Sequence, residues 1–234
     1  MKAMILAAGL GTRMRPLTDT QPKPMLKVAD KPLLDWALER LDEVGCEQVL
    51  VNLHYLGDQI QAHLKSRVSY ISEDPVLETG GGVKNALDHG YFQDAAFYVC
   101  NADNLWLDHG NSALARLAEA WDEDRMDGLL LLQAVETAKG YDGAGDFWCE
   151  GDAGQVRRLK DGGAGKPAFV FTGVQILHPR LFEKTPEGAF SLNVLYDQAL
   201  AQGRLYGLQH AGAWYHVGTP DSLAATDAAL RGSE

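Results

Sequence analysis

The amino-acid sequence predicts an α/β fold, a Rossmann-like mixed, mainly parallel sheet flanked by helices with a small antiparallel elaboration. Three observations predict it. Short apolar runs have the composition of strands that are buried on both faces of a sheet. These runs alternate with segments in which leucine and alanine recur at helical spacing, as in right-handed βαβ units. The length of 234 residues suits one large domain with a continuous core.

The first half of the chain alternates regularly between strands and helices. Its first strand is expected over residues 3–8, an apolar run that stops at Gly9. A helix is expected to begin at Pro32, which a first helical turn tolerates, and to end at Gly45. The other elements predicted in this half are strands at 48–52, 68–72 and 97–100 and helices at 57–64 and 82–89.

The second half is less regular, because a glycine-rich stretch covers residues 140–165. Its predicted elements are helices at 112–121, 192–201 and 220–230 and strands at 129–134, 146–149, 169–177 and 205–208. We expect residues 1–234 to form a single domain, with the antiparallel elaboration inserted after about residue 135.

Composition and charge exclude several classes of protein. The net charge of −11 opposes binding to nucleic acid or to an anionic membrane. No apolar run approaches the roughly 20 residues that a membrane span needs. The three cysteines are far apart and form no Cys-x-x-Cys pair, which favours reduced thiols over a disulfide framework or a zinc site. We therefore expect a cytoplasmic protein with neither nucleic-acid nor membrane partners.

Positive charge is concentrated at the start of the chain. The first 31 residues carry six basic and two acidic side chains, whereas the whole chain has a net charge of −11. A cationic segment on an acidic body suits a small, highly charged anion held in a pocket. A solvated basic loop would have the same composition, so charge alone does not decide between the two.

The loop after the first strand has the features of a phosphate-binding loop. It reads AAGLGTRMRPLT and continues to Lys23, which stands between two prolines. Parallel sheets bind ligands beyond the carboxyl ends of their strands, where this loop lies. Gly9 and Gly11 permit close approach of the backbone, and Arg13 adds a forked donor that matches a phosphate. The dinucleotide fingerprint and the P-loop are both incomplete, because position 14 is methionine and no Gly-Lys-Ser/Thr is present.

The complete string LAAGLGTRMRPLT followed by PKP resembles the signature of the nucleotidyltransferases that make nucleoside-diphosphate sugars. Further family segments appear in the expected order, namely ETGGG from Glu78, NAD from Asn101, FTGV from Phe171 and WYHVGT from Trp214. The resemblance implies the nucleotide-diphospho-sugar transferase fold. It implies a nucleotide-binding part at about 1–135 and a sugar-binding elaboration at about 136–219, without a C-terminal β-helix domain.

The resemblance also implies the substrates, a nucleoside triphosphate and a sugar-1-phosphate. Short members of the family that use UTP and N-acetylmuramate-1-phosphate, or a similar hexose-1-phosphate, look most similar. Short members that use GTP and mannose-1-phosphate look nearly as similar and remain the alternative. The sequence carries no prediction of the oligomeric state.

The implied reaction needs no catalytic base. A sugar-phosphate oxygen attacks the α-phosphorus of the triphosphate in line and releases pyrophosphate. The nucleophile is already ionised near neutral pH, because a phosphate monoester has a second pKa of about 6. The difficulty is to bring two polyanions together, which cations and a divalent metal overcome. The lack of a Ser/His/Asp or Cys/His arrangement in the sequence is therefore no objection.

The resemblance assigns the catalytic and nucleotide-binding residues. Arg13 is expected at the β- and γ-phosphates, and Lys23 is expected near the α-phosphate, where charge builds up. The nucleotide-binding set is Ala7, Ala8, Gly9, Gly11, Thr12 and Arg13, with a turn at Gly80 and Gly81. A helix-entry turn without a ligand is the alternative for glycines 80–82.

The resemblance places the sugar among residues from both halves of the chain. Thr172 and Gly173 match the segment that lines the sugar in relatives. Lys160 stands where some relatives place a lysine for the sugar phosphate, and a solvated turn is its alternative. The further candidates for the sugar side are Glu78, Gly145 and Asp146.

Asp103 follows an apolar strand and is the expected ligand of Mg²⁺, a hard cation that prefers oxygen. Relatives usually supply a second metal-binding aspartate where this chain has His216, and imidazole is a poor Mg²⁺ ligand. Three interpretations follow: a metal held by Asp103 and substrate phosphates, a site that favours Mn²⁺ or another ion that tolerates histidine, or reduced activity. We expect the first, with His216 near the metal but not essential to it.

Two other functions share part of this pattern. A glycosyltransferase would also have the sheet and a metal-binding aspartate, but the loop from Arg13 to Lys23 opposes that reading. A non-catalytic nucleotide-sugar-binding protein is favoured only by His216, and the presence of Arg13, Lys23 and Asp103 opposes it.

Overall fold

The computed structural model describes residues 1–93 and 95–232 of the chain. The strands are β1 (Ala3–Leu6), β2 (Lys27–Val28), β3 (Lys31–Pro32), β4 (Val49–Leu53), β5 (Ser69–Ser72), β6 (Phe97–Asn101), β7 (Leu105–Leu107), β8 (Gly128–Ala134), β9 (Phe147–Cys149), β10 (Ala153–Arg158), β11 (Phe169–Leu177), β12 (Leu205–Gln209) and β13 (Ala213–Tyr215). The α-helices are α1 (Leu33–Glu43), α2 (Gly57–Leu64), α3 (Glu78–Asp88), α4 (Ala113–Ala120), α5 (Asn193–Ala201) and α6 (Pro220–Arg231).

Nine of these strands form one sheet in the order β5-β4-β1-β6-β11-β8-β12-β10-β9. The first four pair in parallel. β11 runs antiparallel to both β6 and β8, and β10 runs antiparallel to both β12 and β9. Because β8 and β12 are parallel to each other, only β11 and β10 oppose the direction of the other strands in this sheet. The mixed, mainly parallel sheet predicted from the sequence is confirmed.

The sheet is covered by helices on both faces. Ala3 and Ile5 of β1 pack with Leu38 of α1 in one buried cluster. Met4 points the opposite way along the same strand and packs with Leu195 of α5 in a second cluster. Full burial of one such apolar side chain stabilises the fold by about 2 kcal/mol. Burial on both faces explains why β1 is apolar throughout and does not alternate.

The helices lie where the hydrophobic spacing predicts them, with one instructive difference. α2 and the strand β11 have the predicted bounds, whereas α3 begins at Glu78, four residues before the predicted start at residue 82. The expected turn at Gly80 and Gly81 is therefore wrong, because both glycines are helical. Their amides donate to the carbonyl of Phe190, and a side chain on Gly80 would overlap the Phe190 ring. These glycines permit close packing of a helix against a loop.

Several of the shortest strands escape prediction, because two or three residues are too few to show alternation, whereas β9 lies within the strand predicted at 146–149. β7 and β13 form a separate antiparallel ribbon in which Trp106 pairs with Trp214 and Leu105 pairs with Tyr215. β10 lies within the glycine-rich stretch and is also not predicted. The ribbon matters for the site, because β7 begins two residues after Asp103 and β13 ends directly before His216.

Within residues 1–93 and 95–232, none of the helices combines the length and the apolar character needed to cross a bilayer.

Candidate active site

An inner cavity of about 300 Å³ opens where β1, β4 and β6 end. Leu6, Asn52 and Asn101, which stand at or near the carboxyl ends of these strands, contribute to its lining. Open α/β sheets bind ligands at this edge. The sequence-predicted residues that line the inner cavity are Ala7, Ala8, Gly9, Gly11, Thr12, Arg13, Lys23, Glu78 and Asp103.

The loop between β1 and β2 closes one side of the inner cavity. Gly11 has a φ of +63°, and a Cβ atom there would lie 3.1 Å from Thr18 Cγ2. The Thr18 hydroxyl donates to the Gly11 carbonyl oxygen at 2.8 Å, which folds the loop back on itself. The side chain of Met14 is fully buried and anchors the 3-10 turn Thr12–Met14. This anchoring holds the preceding residue, Arg13, at the cavity.

A buried chain of hydrogen bonds positions the start of the same loop. The Ala7 amide donates to Asn52 Oδ1 at 2.7 Å, and Asn52 Nδ2 donates to Glu73 Oε1 at 2.6 Å. The Leu77 amide donates to Glu73 Oε2 at 2.9 Å. Asn52 and Glu73 are only 2% and 4% exposed, and both line the inner cavity. Sequence reasoning missed both, because the strand before Glu73, Ser69–Ser72, is itself polar and half exposed and so does not mark the residue that follows it.

Lys23 and Asp103 meet at the boundary of the inner cavity. The Lys23 ammonium lies 2.5 Å from Asp103 Oδ2, although the two residues are 80 positions apart in the chain. Only 11% of the Lys23 side chain is exposed, because the lysine begins a 3-10 turn behind Pro22 and packs into the site. A third of the Asp103 side chain remains exposed, at 33%. The pair places one cation and one hard oxygen ligand together at the cavity wall.

A middle cavity of about 250 Å³ adjoins the inner cavity and shares Arg13, Asn101 and Asp103 with it. Gly173 lines it at an irregularity in the pairing of β11 with β8. The φ of Gly173 is +82°, and a side chain there would overlap the amides of Asn101 and Asn104. Glycine is therefore required here both by the backbone conformation and by the close approach of two side chains.

Two polar residues of the middle cavity differ in how they are satisfied. Thr172 is 1% exposed, and its hydroxyl donates to the Leu131 carbonyl oxygen at 2.9 Å. This hydrogen bond stabilises the sheet. Asn104 is 6% exposed, and its Nδ2 has no hydrogen-bond partner among the residues that the structure describes. Because it follows Asp103 directly, its position beside the expected metal ligand is a signal that sequence reasoning could have used.

His216 also lines the middle cavity, between aromatic rings. Its ring lies 5.9 Å from the Tyr141 ring and 5.7 Å from the Trp214 ring, measured between centroids. Burial lowers the pKa of His216 below its usual value, and the nearby Lys23 ammonium lowers it further. The imidazole is therefore neutral at pH 7. The structure thus places His216 near Lys23 and Asp103, two other residues that the sequence analysis identified as site candidates.

The remaining predicted sugar-side residues are distributed over all three cavities. Asp146 lines the middle cavity and also an outer cavity of about 550 Å³. Gly145 and Lys160 line only the outer cavity among these three. Glu78, expected on the sugar side, lines the inner cavity instead. Gly80 and Gly81 line none of the three cavities, as their place inside α3 explains.

Metal-binding chemistry at this site depends on few protein ligands. Among residues 1–93 and 95–232, no three histidine, cysteine, aspartate or glutamate side chains are arranged to hold a metal ion. Asp103 nevertheless suits Mg²⁺, which often takes one or two carboxylates and completes its shell with substrate phosphates and water. Its exposed carboxylate at the junction of the inner and middle cavities is consistent with that mode.

The model of the nucleotidyl transferase family matches residues 2–232. An N-acetylmuramate alpha-1-phosphate uridylyltransferase of Caulobacter vibrioides is 40% identical over 97% of this chain and 96% of its own length. A mannose-1-phosphate guanyltransferase beta-A of Xenopus laevis is 28% identical over 94% of this chain but only 62% of its own length.

A solved structure shares the fold across the whole chain. A UDP-glucose pyrophosphorylase complexed with UDP-glucose superposes with a TM-score of 0.76, and the match covers 100% of this chain and 99% of that one. At 23% identity, this likeness establishes the fold alone.

Proposed function

The chain belongs to the nucleotidyl transferase family, and from this premise we propose that it joins UTP to N-acetylmuramate-1-phosphate. The products are UDP-N-acetylmuramate and pyrophosphate. The observation that carries the proposal is the junction of the inner and middle cavities at Arg13, Asn101 and Asp103. A triphosphate in the inner cavity and a sugar phosphate in the middle cavity would meet at these residues.

The reacting groups are both anions, so the site must neutralise charge. A phosphate oxygen of the sugar-1-phosphate forms a bond to the α-phosphorus. The bond from that phosphorus to the bridging oxygen of the β-phosphate breaks, and its electron pair leaves with pyrophosphate. Because the sugar phosphate is already ionised near pH 7, no proton has to be removed.

Each charged residue has a position suited to one part of this reaction. Lys23, buried at the cavity wall, stabilises the charge that develops around the α-phosphorus. Arg13 is held by the turn Thr12–Met14 and binds the leaving pyrophosphate with its forked donors. The glycine loop with Ala7 and Ala8 brings the backbone close to the nucleotide, and Asn52, held by Glu73, keeps that loop in place by accepting the Ala7 amide.

A divalent metal, Mg²⁺ or Mn²⁺, belongs to the proposal with Asp103 as its protein ligand. Such an ion supplies further neutralisation of the phosphates when it is bound. His216 is neutral beside Asp103, so it adds no charge that would repel the ion. We expect it to shape the site without being essential for metal binding.

The choice of UTP and N-acetylmuramate-1-phosphate is supported by the Caulobacter vibrioides relative, which matches nearly end to end. GTP with mannose-1-phosphate is supported less well, since the Xenopus laevis relative is less identical and extends beyond the matched region. In both cases the chemistry at the α-phosphorus would be the same.

The decisive experiment is a matrix of four nucleoside triphosphates against several sugar-1-phosphates, read by pyrophosphate release with Mg²⁺ and with Mn²⁺. We expect release with UTP and N-acetylmuramate-1-phosphate to exceed that of every other pair. Triphosphate binding without turnover in any cell of the matrix would contradict the proposal and favour a nucleotide-sugar-binding protein. Consumption of a UDP-sugar with transfer of its sugar would favour a glycosyltransferase.

A further inference from the structure

The three cavities adjoin one another in the order inner, middle, outer, and neighbouring cavities share lining residues. The inner and middle cavities share Asp103 among other residues, and the middle and outer cavities share Asp146. If the reacting phosphate lies at Asp103, the sugar ring extends through the middle cavity. A substituent on the far side of the ring then reaches the outer cavity at Asp146.

The outer cavity contains one cation that is not committed to another residue. It is lined by two basic and two acidic side chains, Arg158, Lys160, Asp146 and Asp197. Arg158 pairs with Asp197 at 2.9 Å, and Asp146 Oδ2 accepts a hydrogen bond from the Phe171 amide at 2.9 Å. Lys160 is exposed and forms no ion pair with any other residue in the described part of the chain. Its ammonium group is therefore available to an anionic ligand.

We propose that Lys160 determines substrate specificity by binding the lactyl carboxylate of N-acetylmuramate-1-phosphate. This inference rests on the proposed function and adds the group that recognises the sugar. The lactyl ether on O3 distinguishes N-acetylmuramate from N-acetylglucosamine, and its carboxyl group is ionised at neutral pH. O3 lies away from the phosphate on C1, so we place the lactyl group in the outer cavity, which Asp103 does not line.

The position of Lys160 argues against a contact with the sugar phosphate, the role that the family resemblance implied. The sugar phosphate must approach the α-phosphorus beside Lys23 and Asp103, which line the inner cavity. Lys160 lines neither the inner nor the middle cavity. A cation at the distal end of the sugar can distinguish one sugar from another, whereas a phosphate contact would serve all sugar-1-phosphates equally.

The test uses two product nucleotides that differ only in the lactyl group, UDP-N-acetylmuramate and UDP-N-acetylglucosamine. Their dissociation constants for the full chain are measured by calorimetry in the parent and in Lys160→Ala. We expect the variant to bind UDP-N-acetylmuramate about fivefold more weakly, the scale of one exposed ion pair, with no change for UDP-N-acetylglucosamine. Lys160→Glu should weaken only UDP-N-acetylmuramate further, and Lys160→Arg should restore most of the binding.

Lys166→Ala is the matched control, because it removes the same charge from the same region. Lys166 pairs with Glu150 at 3.1 Å and lines none of the three cavities. Equal weakening of both nucleotides in Lys160→Ala would indicate a contact with a shared group and overturn the proposal, as would no change in either. The proposed function fails separately, if the parent releases no pyrophosphate from UTP and N-acetylmuramate-1-phosphate.

Discussion

The inner cavity and the middle cavity are built in different ways, although they share a wall. The inner cavity is formed largely by one continuous loop after β1, whose conformation is fixed by Gly11, Thr18 and Met14. The middle cavity is assembled from residues of β6, β11 and β13, which are far apart in sequence. The first depends mainly on one loop, which Asn52 and Glu73 hold in place, whereas the second depends on the whole fold.

Because of this difference, substitutions in the two cavities should affect different substrates and should differ in their effect on stability. A change in the local loop should affect the triphosphate and the chemical step, with little effect on stability. A change in the assembled cavity should affect the sugar phosphate and the stability of the protein together. Asp103 lines both cavities and Lys23 pairs with it from the inner cavity, so changes at either residue should affect both substrates.

Lys23→Ala should have the largest effect. It removes the cation that we place at the α-phosphorus, and loss of one preorganised charge of this kind costs about a thousandfold in kcat. The measurement is the initial rate of pyrophosphate release at saturating UTP and sugar phosphate. Lys27→Ala, which removes an exposed lysine from the following strand, is the control and should keep the parent rate. A parent-like rate in Lys23→Ala would refute the assignment of the catalytic cation.

Gly173→Ala should have the next largest effect and should act on the assembled cavity. An alanine at φ +82° costs about 1–2 kcal/mol in stability, and overlap with Asn101 and Asn104 would force those side chains to move. We expect the KM for the sugar phosphate to rise about tenfold, with a smaller rise for UTP, since this is the scale of one displaced contact. Steady-state kinetics with each substrate varied in turn provide the measurement.

Gly90→Ala separates the two causes of that effect. Gly90 has a φ of +80°, but an added Cβ there would meet no atom within 4 Å. It therefore has the same backbone penalty without the steric overlap. If Gly90→Ala and Gly173→Ala changed the KM for the sugar phosphate equally, the close approach at Gly173 would have no role in the site.

The same contrast explains what the sequence could predict. The strands and helices that bury an apolar face were predicted because hydrophobic spacing reports burial directly, as for α2 and β11. The loop after β1 was identified because its glycines, Arg13 and Lys23 are close together in the chain. The structure places all of these loop residues at the inner cavity, while their roles in binding and catalysis remain predictions.

Interactions between distant segments could not be predicted in the same way. Glycines 80 and 81 were expected to form a turn, because a single sequence does not reveal that the loop at Phe190 packs against them. Asn52 and Glu73 were missed because each looks ordinary until the fold places them in one hydrogen-bonded chain. The family resemblance implies a sugar-phosphate contact for Lys160, but a position in the chain does not specify which cavity the residue lines.

Glu73→Gln should have an intermediate effect on the local loop. The Ala7 amide donates to Asn52 Oδ1, which leaves Asn52 Nδ2 as a donor to Glu73. The Leu77 amide is a second donor to the same carboxylate. Glutamine offers only one acceptor oxygen to these two donors, so one buried donor loses its partner at a cost of about 1–3 kcal/mol.

The resulting displacement of Ala7 should raise the KM for UTP about tenfold, consistent with that cost, and leave the KM for the sugar phosphate within twofold. Titration of UTP at saturating sugar phosphate measures the first effect. Glu136→Gln, at an exposed position, is the control for loss of one negative charge. If Glu73→Gln raised both KM values equally, the inner cavity would not be the independent local structure described above.

His178→Asn should have the smallest effect and should leave both cavities intact, because His178 lines none of the three. Burial lowers the pKa of His178, and Arg180 lowers it further, so the folded state favours the neutral ring. As pH falls through about 6.5, the unfolded chain gains a proton that the folded chain resists, and the parent loses stability. Asparagine retains an acceptor for the Arg180 amide, which donates to His178 Nδ1 at 3.1 Å. The drop in Tm between pH 7.5 and 5.5 should therefore be about 2 °C smaller in the variant.

An equal drop in Tm in both proteins would show that another group causes the acid sensitivity. A changed KM for either substrate would show that the cavities are coupled to the opposite edge of the sheet.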